Sequence, residues 1–148
     1  MKEQVILLVE DDPDDEDLTI RALGKNKIGD RVDVVRDGLE ALDYLFQSGP
    51  YAESGQELPQ LILLDLKLPK VDGLEVLRRL REHPRTRLAP VVVLTSSNEE
   101  RDVVQSYLLG ANSYIRKPVD FTQFSEAVRQ LGTYWLVVNQ GPPCAGEF

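Results

Sequence analysis

The sequence predicts an α/β fold, a doubly wound five-stranded parallel sheet with five helices. Two observations carry that prediction. Val5-Ile6-Leu7-Leu8-Val9, Leu61-Ile62-Leu63-Leu64 and Val91-Val92-Val93-Leu94 are continuous rather than alternating apolar runs, as strands buried on both faces of a parallel sheet require. Helical patterns lie between them, and alternating strands and helices imply right-handed crossovers that cover both faces. A length of 148 residues allows one ordinary domain and not two.

The elements follow in order. The first strand, Val5 to Val9, closes on Glu10-Asp11-Asp12. Asp14 is the expected N-cap of the first helix, with Leu18, Ile20, Ala22 and Leu23 as its apolar positions. Val32-Asp33-Val34-Val35 reads as the second strand. Asp37-Gly38 opens a helix carrying Leu39, Leu42, Leu45 and Phe46, and residues 47–60 read as a longer loop containing Gly and Pro. The third strand, Leu61 to Leu64, closes on Asp65. Asp72-Gly73 leads into Leu74, Val76, Leu77 and Leu80, and that helix should stop before Pro84. The fourth strand closes on Thr95-Ser96. Glu99-Glu100 starts a helix with Val103, Val104, Tyr107 and Leu108, terminated near Gly110. Ser113-Tyr114-Ile115 is the fifth strand and leads to Lys117-Pro118. Phe121, Phe124, Val128, Leu131, Trp135 and Val138 then recur at helical steps. Residues 1–138 form the expected domain, and residues 139–148 read as a disordered tail.

Charge narrows the function. Seventeen Lys and Arg against 25 Asp and Glu give a net charge of −8. That balance argues against nucleic-acid binding and against a polybasic membrane anchor. Met1-Lys2-Glu3-Gln4 precedes only five apolar residues, which fits neither a signal peptide nor a membrane span, so a cytoplasmic location is expected. Cys144 is the single cysteine, so there is no intrachain disulfide and no cysteine metal site.

In open parallel sheets, ligands bind beyond the carboxyl ends of the strands. If the first and third strands are neighbours, the acids of Glu10-Asp11-Asp12 converge with Asp65 there. Like charges so placed raise a pKa or recruit a cation, and Mg²⁺ suits an all-oxygen site. The same acids would repel a flavin or nucleotide phosphate, and no Gly-rich phosphate loop occurs.

Leu8-Val9-Glu10-Asp11, Leu63-Leu64-Asp65-Leu66, Pro69-Lys70-Val71-Asp72-Gly73, Val93-Leu94-Thr95-Ser96 and the run from Gly110 to Pro118 are the decisive motifs. In that order and spacing they resemble a response-regulator receiver domain of the chemotaxis-regulator type, with a flavodoxin-like fold. The match runs from about Val5 to about Trp135. The loop with Gly49-Pro50-Tyr51, the Leu68-Pro69-Lys70 segment and the Tyr134-Trp135-Leu136 ending are similar to small stand-alone regulators of bacterial and cyanobacterial phytochrome kinases.

The resemblance implies roles. Asp65 would be the phosphoacceptor. The residues alone leave open which two of Glu10, Asp11 and Asp12 form the acidic pair, and the family pattern selects Glu10 and Asp11. With Asp65 and the backbone carbonyl of Lys67, that pair would hold Mg²⁺, Asp11 directly and Glu10 through water. Asp12, Asp14 and Asp15 are expected as solvated charges at a helix start, where the dipole favours them. Lys117 would reach the phosphoryl oxygens or pair with Asp65, and its bond to Pro118 would be cis. Thr95 would donate to a phosphoryl oxygen beside the small Ser96, and Tyr114 would change rotamer with Thr95. Lys67 and Ser97 occupy positions that tune the acyl-phosphate lifetime.

His83, the only histidine, reads as a solvated helix-end residue, so the phosphoryl must come from elsewhere. A sensor histidine kinase, a phosphotransfer protein or a small acyl phosphate could supply it. The domain would transfer the phosphoryl to itself and hydrolyse it slowly, without being a turnover enzyme. The last apolar stripe spans about 18 residues, or roughly 27 Å, whereas a five-residue strand is about 17 Å long. Trp135, Leu136, Val137 and Val138 would then overhang the core and form a homodimer contact anchored by Trp135. Two rival classes remain: a degenerate receiver acting as a scaffold, and a haloacid-dehalogenase-like phosphohydrolase. The latter needs a second Asp where Lys67 stands.

Overall fold

The computed structural model describes residues 3–55, 57–97, 99–117 and 120–142. Five strands, β1 (Val5–Val9), β2 (Arg31–Val35), β3 (Leu61–Leu64), β4 (Val91–Thr95) and β5 (Ser113–Arg116), form one sheet in the order β2-β1-β3-β4-β5. All neighbours are parallel. The three continuous apolar runs became the three central strands. Ladder bonds extend one residue past the strands. Glu10 N–H donates to the Val35 carbonyl (3.0 Å), Asp65 N–H to Val9 (3.1 Å) and Lys117 N–H to Thr95 (2.8 Å). This continuation brings Glu10, Asp65 and Lys117 to the same carboxyl edge.

Successive strand residues face opposite sides of the sheet. Leu7, Val9, Ile62, Leu64, Val91 and Val93 pack against α2 (Gly38–Phe46) and α3 (Gly73–Glu82). Ile6, Leu8, Leu61, Leu63, Val92 and Leu94 pack against α1 (Pro13–Lys25) and α5 (Phe121–Thr133). A short 3₁₀ turn, Gly49–Tyr51, lies in the long loop before β3. Gly73 has a steric reason at the start of α3. A β-carbon there would lie 2.3 Å from the Asp65 carbonyl oxygen, so the close approach of α3 to the Asp65 backbone requires glycine.

Three expectations change. The N-cap of α1 is Asp12, not Asp14. Pro13 takes the first helical position, where its missing N–H costs nothing, and Asp12 Oδ1 accepts from the N–H groups of Asp14 (2.8 Å) and Asp15 (3.3 Å). In α4 (Glu100–Leu108) the expected apolar positions do not enter the core. Val104 and Tyr107 are half exposed, Leu108 is 73% exposed, and Ser106 is the residue buried. Finally, α5 does not continue regularly. It widens into a π-turn, Tyr134–Val138. The wider turn rotates the stripe, so Trp135 and Leu136 fold back onto the α1/α5 core, while Val137 (77%) and Val138 (65%) face solvent.

His83 is the exposed C-cap of α3 ahead of Pro84, as expected, with its ring 4.8 Å from that of Phe46. The Lys117-Pro118 bond, Cys144 and the end of the tail (residues 143–148) lie outside the described residues. No helix among the described residues is long and apolar enough to cross a membrane.

Candidate functional site

Four strand ends and one helix start build the site. Glu10 follows β1, Asp65 follows β3, Thr95 ends β4 and Lys117 follows β5. β1, β3 and β4 are buried along nearly their whole length, so the polar residues at their ends have little freedom. Lys117 Nζ donates to Glu10 Oε1, to Asp65 Oδ2 (3.0 Å) and to Asp15 Oδ2 (3.0 Å). Thr95 Oγ1 donates to the other oxygen of Asp65, Oδ1, at 2.9 Å. The Lys67 N–H donates to the same oxygen at 3.3 Å, and Asp12 N–H donates to Glu10 Oε2 at 3.3 Å. Glu10, Asp65 and the Lys117 side chain are all buried.

Burial and charge pull these groups apart. Burial pushes the Glu10 carboxyl up to about 7, with the Asp65 charge adding to it and Lys117 opposing it. Burial acts the same way on Asp65. There the Lys117 charge and the hydrogen bonds from Lys117 and Thr95 win, and Asp65 sits below the usual carboxylate range. Burial works against the Lys117 ammonium, but the hydrogen bond to Glu10 and the charges of Asp65 and Glu10 hold it protonated. Asp65 is thus an ionised, oriented carboxylate with a donor on each oxygen, as a nucleophile needs.

Carboxylate oxygens of Glu10, Asp15 and Asp65 lie within 4.8 Å of one another. Three carboxylates around one ammonium leave the cluster negative. An oxygen-only donor set of that span fits a hard divalent cation.

The sequence match settles the family. The model described as the response regulator receiver domain covers residues 6–129. The chain belongs to the response regulator receiver family. Receiver domains are phosphoacceptor signalling domains rather than turnover enzymes. This receiver is 42% identical over 133 residues to response regulator Rcp1 of Synechocystis sp., covering 90% of this chain and 89% of that one. A crystal structure of the Mn²⁺-bound form of Rcp1 superposes with TM-score 0.86 at 40% identity, covering 95% of this chain and 99% of that one. The phosphorylated cyanobacterial phytochrome response regulator RcpA gives TM-score 0.88 at 41% identity, with 96% and 100% covered. The bacteriophytochrome response regulator RtBRR gives TM-score 0.78 at 52% identity, with 97% and 87% covered.

The other expected residues of the receiver fall around this centre. Asp11 is exposed and is not among the three clustered carboxylates. Asp15, expected as a solvated charge, is the third carboxylate of the cluster. Tyr114 is half-buried and its Oη donates to the Ser97 carbonyl at 3.0 Å. Ser97 N–H reaches Thr95 Oγ1 (3.4 Å), and Ser97 Oγ donates to Asp102 Oδ2 (2.5 Å). A continuous path therefore runs from Asp65 through Thr95 and Ser97 to Tyr114. Asp102, which opens α4 and holds Ser97, was not anticipated. Ser96 is exposed, as is the side chain of Lys67.

Proposed function

We propose that this receiver accepts a phosphoryl group on Asp65 from a sensor histidine kinase or a phosphotransfer protein and signals by changed protein contacts. The supporting observation is the pairing of Asp65, with Lys117 on one oxygen and Thr95 on the other. An Asp65 oxygen attacks phosphorus, the phosphorus–nitrogen bond of the donor histidine breaks, and the imidazole keeps the electron pair and takes a proton from water. Lys117 follows the negative charge onto the phosphoryl oxygens. Thr95 turns its hydroxyl from Asp65 to a phosphoryl oxygen, and the tie through Ser97 moves Tyr114. Water later cleaves the acyl phosphate, slowly, at a rate tuned from Lys67 and Ser97.

Glu10, Asp11, Asp65 and the Lys67 carbonyl are the proposed holders of Mg²⁺. When bound, Mg²⁺ neutralises charge on the transferring phosphoryl. The likeness to RcpA and RtBRR supports a phytochrome-type kinase as partner. A cytoplasmic location is part of the same proposal. A homodimer through Val138, with Trp135 and Leu136 beneath it, is the proposed assembly, and the net charge of −8 argues against a nucleic-acid or membrane partner. Residues 1–138 are the proposed functional unit.

The test is incubation with acetyl phosphate, with and without Mg²⁺, read by intact mass beside Asp65→Asn. One added phosphoryl, dependent on Mg²⁺ and absent from the variant, is expected. No adduct on the wild type, together with no beryllofluoride binding, would leave a scaffold without phosphotransfer.

A further inference from the structure

Lys117 has three carboxylate partners, and the third comes from α1. Asp15 Oδ2 accepts from Nζ at 3.0 Å, the same distance as Asp65 Oδ2. The helix aims this carboxylate. Asp15 N–H donates to the Asp12 cap (3.3 Å), and its carbonyl accepts from the buried Thr19 hydroxyl (2.8 Å). Asp15 differs from its companions in exposure: its side chain is 37% exposed, that of Glu10 2%.

That difference gives Asp15 a use. A divalent cation held by Glu10 and Asp65 would meet an ammonium already bonded to both. Like charges at that range repel, and a buried ammonium stripped of its partners is costly. Asp15 lies at the solvent edge of the cluster and already touches Nζ, so Lys117 can give up Glu10 and Asp65 and stay paired. We propose that Asp15 is a positioning residue for Lys117, holding the ammonium when a divalent cation occupies Glu10 and Asp65 and thereby raising cation affinity. The proposal rests on Glu10 and Asp65 being the cation site. Asp14 is the natural control. It is exposed, carries the same charge on the same helical turn, and is not one of the three carboxylates paired with Lys117.

The experiment is calorimetric titration of the full chain with MnCl₂ at fixed ionic strength. Asp15→Asn is expected to weaken binding about fivefold, the size of a half-exposed ion pair, while Asp14→Asn changes it less than about twofold. Asp15→Glu keeps a carboxylate and should recover most of the affinity. In a Lys117→Met background the Asp15→Asn effect should vanish, because Asp15 acts through Lys117. Thermal melting of each variant checks folding, and Asp15→Ser stands in if Asp15→Asn melts early. Equal effects of Asp14→Asn and Asp15→Asn overturn the proposal alone. So does an undiminished Asp15 effect without Lys117. A wild type that binds no cation removes the cation site itself and the proposal with it.

Discussion

Glu10 is a residue whose surroundings oppose its charge. It is 2% exposed, and burial raises its pKa from 4.5 to about 7. Between those values the unfolded chain has released the proton that the folded protein still holds. Each upward step in pH across that window therefore favours unfolding. Asp65 has the opposite sign. Its pKa is lowered on folding, so its contribution is present above the unfolded value and is lost as pH falls through the folded one. In cation-free buffer, Glu10→Gln should reduce the loss of stability between about pH 5 and pH 7, since Gln has no proton to release there. Urea midpoints at the two pH values measure this. An unchanged difference between them would mean that Glu10 stays charged in the folded protein.

Among the elements, α4 behaves unlike the other helices. No side chain from Glu100 to Leu108 belongs to either apolar core. Leu77 of α3, in contrast, is fully buried. Leu77→Ala should cost about 2–5 kcal/mol, whereas Leu108→Ser should change stability by less than about 0.5 kcal/mol. Denaturant unfolding of both variants checks this, and a large loss at Leu108 would mean that α4 packs more closely than its exposure implies. The same contrast explains how far the sequence could be read. Continuous runs such as Leu61 to Leu64 located β3 to the residue, because burial on both faces leaves no other use for four apolar residues. Val104, Tyr107 and Leu108 have the same helical spacing as core residues, and spacing does not say whether anything covers them. The end of α5 was misread because the apolar repeat continues through Val138 while the backbone changes pitch at Tyr134. Asp65, Thr95 and Lys117 were legible because each directly follows or ends a strand. Asp15 was missed because the helix dipole already accounts for an acid in a first turn. A signal did exist: Leu18, Thr19 and Ala22 lie three, four and seven residues on, so Asp15 shares the inward stripe of α1.

For the molecule as a whole, exposed apolar surface and net charge act against each other. Val137 and Val138 face solvent beside the half-exposed Tyr134. Their burial in a two-fold contact would remove apolar surface that a single copy leaves in water. Trp135→Ala is a poor probe of that contact, since Trp135 packs on its own domain and its loss also loosens α5. Val138→Asp is cleaner. It touches no core and places a like charge across any symmetric contact. Sedimentation at micromolar concentration should show a dimer for the wild type and a monomer for Val138→Asp. Each copy carries −8, so association brings together two strongly acidic chains. Screening shortens the reach of that repulsion from about 30 Å at 0.01 M salt to about 8 Å at 0.15 M. The wild-type dimer fraction should therefore rise with salt, the reverse of an interface held by opposite charges. A dimer that weakens with added salt would place the contact on ion pairs elsewhere, and one that survives Val138→Asp would remove the end of α5 from it.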